Sequence, residues 1–332
     1  MALVSLIVPI YNVAAYVEKC LLSVFEQTYD NIEYIIVDDC GSDNSMDLVR
    51  TLVENTNFAG KTIRIIRHAC NKGVAAARNT GLDAAVGDYI FFMDSDDTLT
   101  PNCIEDHVAY LEKYNVDFTT ADINFIGGRR VFKSLINNRV LCNHQDILEN
   151  YFLKYIHHSP CNKLLKRTFL EKNQIRFMEG LLYEDALWSF EIAFHARSVA
   201  ILPKRTYNYI IHEGSFTTTD RNMEHRMDSR IYIINAIINY MESCNSPEIR
   251  LIANRYISER RFKILAGLVG SNAGSYLKRK YYQILNGPEY RCYDYGLGAS
   301  LMRLPYPFFY VIIFLIVHIF KLYKKIIRRI CK

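Results

Sequence analysis

Three carboxylates follow an apolar run at residues 89–97, which read Tyr-Ile-Phe-Phe-Met-Asp-Ser-Asp-Asp. Such a run is typical of a strand buried on both faces of a parallel sheet, and the acids then lie at the carboxyl edge, where open α/β sheets bind ligands. Asp94 and Asp96 are two positions apart, so in an extended chain they point the same way. Paired carboxylates repel unless a cation joins them, and Mg²⁺ or Mn²⁺ carrying a diphosphate suits the pair. Many Asp-x-Asp triplets only cap helices or line turns, so the function of this one has to be judged from the surrounding residues.

The first hundred residues alternate strand and helix patterns. Apolar runs predict strands at 4–9, 32–37, 62–67 and 89–93. The helix patterns between them lie at 14–25, 45–53 and 74–85. This order predicts an α/β fold, a Rossmann-like, mostly parallel sheet flanked by helices and joined by right-handed crossovers.

The rest of the chain is first mixed and then helical. Strand signals follow at 117–126 and 205–211, and helix signals at 146–155, 166–173 and from Glu184. Beyond about 216–222 the spacing is helical, most clearly at 227–241 and 249–268. We predict three segments, an α/β domain at 1–218, a helical region at 219–300 and a hydrophobic, basic tail at 301–332.

Polar residues follow each predicted strand, and a parallel sheet brings them to one edge. Tyr11 follows the first strand, Asp39 the second, Arg78 the third, and Asp94 with Asp96 the fourth. These side chains fit a nucleotide. A tyrosine ring can stack on a base, Asp39 can accept a hydrogen bond from a pyrimidine imide N–H, and Arg78 can reach base or phosphate. Asp94 can serve the ribose and Asp96 the metal.

Five segments in this order resemble the family 2 glycosyltransferases. They are Val-Ser-Leu-Ile-Val-Pro-Ile-Tyr-Asn (4–12), Ser-Val-Phe-Glu-Gln-Thr-Tyr (23–29), Ile-Ile-Val-Asp-Asp (35–39), Gly-Val-Ala-Ala-Ala-Arg-Asn-Thr-Gly (73–81) and Asp-Ser-Asp-Asp (94–97). The similarity covers residues 3–215 and implies the GT-A fold, a nucleotide-diphospho-sugar donor, a divalent metal and inversion at the anomeric carbon. Pro9, in the first segment, joins the donor-binding set. Where the family usually has Asp-Asp-Gly-Ser-Thr-Asp, this chain has Asp-Asp-Cys-Gly-Ser-Asp at 38–43, which shifts a glycine.

The pair Glu184-Asp185 matches the family's Glu-Asp position. Inverting transfer needs one base to take the proton of the acceptor hydroxyl. The resemblance assigns this role to Asp185, and it leaves Glu184 to orient the base or to contact the acceptor. The pair also suits the N-terminus of a helix over 186–196, where the helix dipole favours acids. Both roles are compatible, since a helix N-terminus presents a carboxylate well.

Other positions follow from the same resemblance. His212 matches a histidine that completes the metal shell in related transferases, although a single histidine is often only structural. Lys163, in the segment 161–167, would meet an anionic acceptor or a phosphate, or else be a surface lysine. Gly214-Ser215 has the composition of a flexible loop that could close over the diphosphate. Trp188 lies on an apolar helical face, which favours core packing over sugar stacking.

The net charge of +5 belongs to the C-terminus. Six of the 40 Lys and Arg residues lie at 321–332 with no acid among them, which leaves 34 basic against 35 acidic residues elsewhere. A near-neutral body disfavours nucleic acid as a partner. The nine scattered cysteines contain no Cys-x-x-Cys pair, and the N-terminus lacks the basic start of a signal peptide, so we expect a cytoplasmic location.

Residues 304–320 form a 17-residue stretch without Lys, Arg, Asp or Glu. A spanning helix needs about 20 residues, and Pro305 and Pro307 shorten the usable helix. The basic residues after 320 alternate with apolar ones, which is the pattern of an amphipathic helix on anionic lipid. We expect this tail to lie on the inner face of the cell membrane rather than to span it; packing on the protein's own core is the alternative.

Together these features predict an inverting, metal-dependent glycosyltransferase. Its donor would be a uridine-diphospho-sugar, and its acceptor a glycan or lipid-linked hydroxyl in surface polysaccharide synthesis. One alternative is an aspartate-nucleophile phosphatase, because residues 94–98 also fit Asp-x-Asp-x-Thr; that motif should follow the first strand of its domain, and here three strands precede it. The other is a nucleotide-sugar-binding protein without catalysis, which would lack a base, whereas Asp185 is present.

Overall fold

The computed structural model describes residues 1–55, 61–127, 139–212 and 223–330, with the side chains of all of these except 55 and 320–330. The chain divides into two compact units, Met1–Thr219 and Asp220–Lys332. The predicted boundary near residue 218 and the Gly214-Ser215 loop both lie outside the described residues.

The first unit is a mixed sheet flanked by helices. Its strands are β1 (Val4–Ile10), β2 (Ile32–Asp38), β3 (Thr62–Arg67), β4 (Tyr89–Phe92), β5 (Thr98–Leu99), β6 (Phe118–Ile126), β7 (Arg139–Leu141), β8 (Lys163–Lys166) and β9 (Val199–Ile210). Its helices are α1 (Val17–Phe25), α2 (Ser45–Asn55), α3 (Val74–Ala84), α4 (Cys103–Tyr114), α5 (His144–Phe152), α6 (Arg167–Lys172) and α7 (Glu184–His195). The strand order is β3-β2-β1-β4-β8-β6-β9-β5, and β7 pairs with β9.

Strands β1 to β4 form the parallel half that the alternating pattern predicts. β1 pairs in parallel with β2 and β4, and β2 pairs in parallel with β3. β1 and β2 are buried along their whole length, in agreement with their continuous apolar sequences. The register places Ile10 opposite Asp38 and Asp38 opposite Arg67, so the carboxyl ends of these strands line up at one edge.

Beyond β4 the sheet contains both parallel and antiparallel pairs. The strand pattern of the first hundred residues makes no prediction for this part of the sheet. β8 runs antiparallel to β4 and β6, whereas β6 and β9 are parallel. The short strand β5 pairs antiparallel with β9, opposite Asn208 and Tyr207. Because β5 begins directly after Asp97, this pairing carries the end of β9 toward the acidic triplet.

The second unit consists of helices, as the periodicity beyond residue 216 predicts. They are α8 (Met223–Glu242), α9 (Pro247–Val269), α10 (Ser275–Leu285), a 3₁₀ helix (Pro288–Tyr293), α11 (Gly296–Met302) and α12 (Tyr306–Ile330). Arg261 is buried among them, and its Nε and Nη2 donate to the carbonyl of Leu285 at 2.9 and 2.6 Å. It therefore satisfies a carbonyl that the last turn of α10 leaves without a helical partner.

Within the tail, Tyr306–Ile330 forms one continuous helix, α12. Pro305 precedes its first residue and Pro307 lies in its first turn, where a missing N–H removes no intrahelical hydrogen bond. Phe309 and Ile313 are buried, so the first half of α12 packs on its own unit. Apolar side chains on another face stay exposed, namely Phe308, Val311, Leu315 and Ile319. Within the described part of the chain, no helix has both the length and the hydropathy that a membrane span requires.

Candidate active site

Asp96 and His212 lie together at the carboxyl edge of the sheet. Asp96 Oδ2 is 3.0 Å from His212 Nε2, and the two side chains are 31% and 15% exposed. Tyr16, which precedes α1, stacks on the imidazole with ring centroids 4.3 Å apart. The stack fixes the plane of the His212 ring while its edge faces the carboxylate. The structure thus brings together the two residues predicted to hold the metal.

This pair has donor chemistry that suits a divalent cation. Burial and the neighbouring Asp94 raise the pKa of Asp96, and the contact with His212 opposes that shift. A cation would relieve the repulsion between the carboxylates, and an imidazole with a carboxylate is a ligand set compatible with Mn²⁺. Among the described residues there is no cluster of three or more His, Cys, Asp or Glu side chains placed to hold a metal ion. Mg²⁺ in proteins usually keeps several waters and is bound by one or two carboxylates together with substrate phosphates.

The third acid of the triplet has a structural role. Asp97 is 1% exposed; its Oδ2 accepts a hydrogen bond from the Tyr207 hydroxyl and its Oδ1 from the N–H of Ile210, both at 2.7 Å. Burial, then Asp94 and Asp96, raise its pKa to about 8. Asp97 thereby ties the end of β9 to the residues that follow β4.

Arg78 joins two acidic parts of the site. Its Nη2 donates to Asp94 Oδ1 at 2.7 Å, and its Nη1 donates to Glu184 Oε1 at 2.8 Å. Burial opposes the charge of this guanidinium, but Asp94 and its other neighbours raise its pKa overall, so Arg78 stays cationic. Its Nε has no hydrogen-bond partner among the residues that the structure describes. The N–H at Nε of this buried cation therefore takes no part in the two ion pairs.

Asp185 is half-buried in the first turn of α7. Its Oδ1 accepts a hydrogen bond from the N–H of Ala186 at 2.9 Å. Burial is the largest cause that raises the pKa of Asp185 to about 7; Glu184 adds to the shift and Arg78 opposes it. A carboxyl group with this pKa can accept a proton from a hydroxyl near neutral pH. The pair therefore occupies the helix N-terminus, and the raised pKa of Asp185 suits a general base.

Asp39 is held firmly at the end of β2. Its Oδ1 accepts a hydrogen bond from the N–H of Lys72 at 2.8 Å and lies 2.7 Å from Nδ1 of His68, and its Oδ2 accepts from the N–H of Gly73 at 2.9 Å. His68 Nε2 lies 2.9 Å from the Thr80 hydroxyl. Both Asp39 and His68 are buried. The carboxylate is therefore oriented by three contacts before any ligand binds.

The end of β1 carries the other two predicted donor-binding residues. Tyr11 is 47% exposed, so its ring is accessible to a base. Pro9 is buried opposite Val37 of β2. β4 pairs only with Val4–Ile7 of β1, so a proline at position 9 removes no hydrogen bond from that ladder. The side chain of Tyr11 is exposed to solvent, whereas Pro9 is buried within the sheet at this edge.

The shifted glycine of segment 38–43 changes the loop in a defined way. Cys40 has a φ of 58°, a left-handed conformation in which glycine is the usual residue. Gly41 approaches Asn12 so closely that a Cβ would lie 2.9 Å from Asn12 Oδ1. That same oxygen accepts a hydrogen bond from the N–H of Ser42 at 2.7 Å. The loops after β1 and β2 are therefore joined through Asn12.

Lys163 is not a surface lysine. It is fully buried, and its Nζ donates to the carbonyl oxygens of His157, at 2.8 Å, and Ser159. Burial lowers the pKa of Lys163 to about 7, with Cys161 and Asp185 opposing the shift. The surface alternative is therefore wrong and Lys163 supports the turn that precedes β8, whereas contact with an acceptor or a phosphate stays a prediction.

Trp188 packs in the core, as its position on an apolar face predicts. Its ring is buried and stacks on Phe177 with centroids 4.8 Å apart and an interplanar angle of 5°. It also meets Phe92 of β4 edge-on at 5.6 Å. The helix that carries the acidic pair is thus fastened to β4 by aromatic packing.

Three residues that the sequence did not single out complete the site. His68 lies behind Asp39, Tyr16 lies against His212, and Asn79 bonds to the loop that leads to α7. Each reaches its partner from a different element, so no spacing along the chain reveals it. Only Asn79 had a signal, since it follows Arg78 within the segment 73–81.

Comparison with known proteins gives a family match for this arrangement. The model described as "Glycosyl transferase family 2" matches residues 5–173. EpsH of Bacillus subtilis (strain 168) is 32% identical over 220 residues, which cover 64% of this chain and 62% of that protein. The poly(ribitol-phosphate) beta-N-acetylglucosaminyltransferase TarS of Staphylococcus aureus (strain MW2) is 28% identical over 213 residues, or 62% of this chain and 35% of that protein. The matched region spans less than two thirds of either relative.

Solved structures share the fold over nearly the whole chain. S. aureus TarS 1–349 in complex with UDP-GlcNAc has a TM-score of 0.75 at 20% identity and covers 94% of this chain and 89% of that chain. The mannosyltransferase PcManGT from Pyrobaculum calidifontis, in complex with GDP-Man and Mn²⁺, has a TM-score of 0.57 at 16% identity, with 95% and 86% covered. The predicted α/β class and GT-A fold are confirmed. Because the family model matches half of its length, the chain belongs to glycosyl transferase family 2.

Proposed function

We propose that this chain is an inverting glycosyltransferase that moves a sugar from a uridine-diphospho-sugar to a hydroxyl of a glycan or lipid-linked acceptor in surface polysaccharide synthesis. The observation that carries the proposal is the bridge made by Arg78 between Asp94, at the end of β4, and Glu184, beside Asp185. This bridge supports the proposal because it connects Asp94, proposed to bind the donor, with the helix start that bears the proposed base. TarS, whose structure holds UDP-GlcNAc and whose name gives a poly(ribitol-phosphate) acceptor, supports this class of donor and acceptor.

Asp185 acts as the base in this mechanism. The acceptor oxygen forms its bond to the anomeric carbon as the bond from that carbon to the diphosphate breaks, and the hydroxyl proton passes to the Asp185 carboxylate. Attack from the face opposite the leaving group inverts the configuration. Glu184, held by Arg78 at 2.8 Å, keeps the first turn of α7 in place during the reaction.

Asp96 and His212 would hold Mn²⁺ or Mg²⁺. The bound ion would supply electrostatic stabilisation of the departing diphosphate. The fit rests on the 3.0 Å approach of the two side chains and on the raised pKa of Asp96. The Mn²⁺ in the PcManGT complex supports a divalent metal in this fold. Arg78, with the N–H at its Nε, would add positive charge near the same phosphates.

The hydrogen bonds of Asp39 favour uracil over guanine. A carboxylate offers about four acceptor positions, and His68, Lys72 and Gly73 use three of them. The imide N–H of uracil needs one acceptor position, and one remains on the carboxylate of Asp39. Guanine presents two adjacent donors, which pair best with both oxygens of a carboxylate. Tyr11 would stack on the base from the solvent side.

We also propose that α12 lies on an anionic membrane surface, at its cytoplasmic face. Exposed apolar side chains line one face of its first half, and six basic residues follow at 321–332. An apolar face that continues into a basic cluster is the pattern of an interfacial helix on anionic lipid. Such seating would keep the chain at a surface where lipid-linked acceptors lie.

Neither alternative explains the site as well. Family membership disfavours an aspartate-nucleophile phosphatase, and the carboxylate of Asp94 is already ion-paired with Arg78. A binding protein without catalysis gives no reason for the pKa of Asp185 to be raised to about 7. Slow turnover of the donor in water separates this second alternative from an enzyme.

A panel of nucleotide sugars tests the proposal. UDP-GlcNAc, UDP-glucose, GDP-mannose and CMP-sialic acid would be added with Mn²⁺ or with EDTA, and thermal unfolding and release of the free nucleotide would be measured. We expect a uridine sugar to raise the Tm with Mn²⁺ only and to be slowly hydrolysed. Binding without turnover of any donor would favour the binding protein, and no binding of any donor would contradict the proposal.

A further inference from the structure

We propose that Asn79 is a positioning residue that fixes the loop leading into the base Asp185, an inference that rests on the proposed function. Asn79 lies on α3 and is 5% exposed. Its Nδ2 donates to the carbonyl of Phe177 at 2.8 Å, and its Oδ1 accepts from the N–H of Phe177 at 3.0 Å. Nδ2 also lies 3.2 Å from Oε1 of Glu179. The side chain thus pairs with both backbone polar groups of Phe177, as a neighbouring strand would.

Phe177 is well placed to be the fixed end of that loop. Its ring stacks on Trp188 of α7 and meets Phe92 of β4 edge-on at 5.2 Å. The guanidinium of Arg78 lies 5.1 Å from the centroid of the same ring. Asn79 therefore holds the backbone of a residue whose side chain joins α3, α7 and β4.

The loop that follows carries the chain directly into the base. Residues 178–183 link Phe177 to α7, and Gly180 and Tyr183 have left-handed φ values of 76° and 64°. Consecutive residues of α3 hold the two ends of this loop: Asn79 bonds to Phe177, and Arg78 bonds to Glu184 at 2.8 Å. A displacement at the first end therefore moves the residues beside the second, which include Asp185.

The loop position also sets the acidity of Asp185. Burial is the largest cause of its raised pKa; Glu184 and Asp94 add to the shift, while Arg78 opposes it and the buried Lys163 interacts with the same carboxyl. A looser loop admits water to Asp185, and its pKa then falls toward that of an ordinary carboxyl group. The acid limb of the rate profile should therefore move to lower pH, which a general loss of stability does not cause.

The test compares Asn79→Leu, which removes every side-chain hydrogen bond, with Asn79→Asp, which keeps the acceptor for the N–H of Phe177. UDP-GlcNAc hydrolysis with Mn²⁺ gives kcat, KM and the pH profile, and calorimetry gives the UDP affinity. We expect kcat to fall about 10²-fold in Asn79→Leu, the usual effect of a small misplacement, and less in Asn79→Asp. The UDP affinity should stay unchanged in both variants, and the acid limb should move to lower pH in Asn79→Leu, which adds no charge near Asp185.

Arg176→Ala is the matched control. Arg176 forms an exposed ion pair at 2.6 Å with Asp83 of α3. It therefore joins α3 to the residue before Phe177, outside the loop 178–183. Its removal should leave kcat and the pH profile unchanged, because exposed ion pairs contribute little to stability.

The outcomes separate the two proposals. An unchanged kcat in either folded Asn79 variant, or an unchanged acid limb in folded Asn79→Leu, would overturn the positioning role and leave the proposed function standing. An equal fall in kcat and in UDP affinity would show a general structural role and overturn it as well. Failure of the unaltered protein to bind UDP would instead contradict the proposed function. If Asn79→Leu does not unfold cooperatively, Asn79→Asp alone decides by its kcat and its UDP affinity.

Discussion

Oδ2 of Asp96 and Nε2 of His212 lie 3.0 Å apart, although 116 positions separate the two residues in the chain. Their closeness depends on β9, which pairs antiparallel with β5 and whose residues Tyr207 and Ile210 each donate a hydrogen bond to Asp97. The parallel half of the sheet therefore supplies the acid, and the mixed half supplies the imidazole. One site is built from both halves.

Asp96→Asn should abolish the metal-dependent part of UDP binding and leave the fold intact. The amide lacks the negative charge that a divalent cation requires, and the Asp96 side chain is partly exposed, so its replacement disturbs little packing. Calorimetric titration of UDP with Mn²⁺ and with EDTA measures the effect. Asp47→Asn, an exposed acid on α2, is the control. A UDP affinity of Asp96→Asn that still rises with Mn²⁺ would place the metal elsewhere.

UDP should bind more tightly than CDP or GDP. Cytosine has an acceptor where uracil has the imide N–H, so CDP leaves the carboxylate of Asp39 without its hydrogen bond. A hydrogen bond to a charged group contributes about 1.5–3 kcal/mol, or roughly 10–100-fold in affinity. Competition of the three nucleotides for the Mn²⁺-loaded protein gives the ranking directly. GDP as the tightest ligand would refute the reading of Asp39.

The sequence predicts the acids of this site well and their supports poorly. Asp39, Asp94 and Asp96 follow apolar strands, and the carboxyl ends of parallel strands must share an edge. His68 and Asn79 act on residues of other elements, so their contacts exist only after the chain has folded. The resemblance of segment 161–167 assigns Lys163 to an anionic acceptor or a phosphate, with a surface position as the alternative; in the fold, Lys163 is buried and two backbone carbonyls accept its hydrogen bonds.

The strands and helices divide in the same way into those that the sequence predicts and those that it does not. The βαβαβαβ order at residues 4–93 predicts β1 to β4, because each buried strand has a continuous apolar sequence. β5 has two residues and β8 has four, too few for a period, so only their partners β9, β4 and β6 define them as strands. The two prolines at the start of α12 suggested a shortened helix, whereas both lie where a helix tolerates them.

Replacing the basic residues of α12 by glutamine should release the chain from anionic vesicles. Each basic residue near anionic lipid contributes about 1 kcal/mol, and this attraction is screened by salt. The variant changes the five basic residues of α12, namely Lys321, Lys324, Lys325, Arg328 and Arg329. Its binding to vesicles of anionic and of zwitterionic lipid is measured by flotation. Substitution is preferable to truncation at 303, because Phe309 and Ile313 are buried. Flotation that survives both the substitutions and high salt would show that another surface binds lipid.

The rate of donor hydrolysis should fall as the pH decreases through about 7. Asp185 works as the carboxylate, its pKa is raised to about 7 by burial and by Glu184, and protonation below that pKa removes the base. The loss should approach about tenfold per pH unit at the acid end and should level off above the pKa. Glu184→Gln removes one of the charges that raise the pKa, so its acid limb should lie at lower pH. A rate that is independent of pH from 5 to 8 would contradict the assignment.

Asp185→Asn gives the most direct test of the account. The substitution keeps the shape of the side chain and removes its ability to accept a proton, whereas the proposed mechanism gives this residue no part in donor binding. The rate of UDP release from UDP-GlcNAc in the presence of Mn²⁺ should fall about 10²–10⁴-fold, the usual contribution of a positioned base. The affinity for UDP, measured on the same preparation, should stay unchanged. A near-normal rate in Asp185→Asn would contradict the account and move the base to another residue, with Glu184 the next candidate.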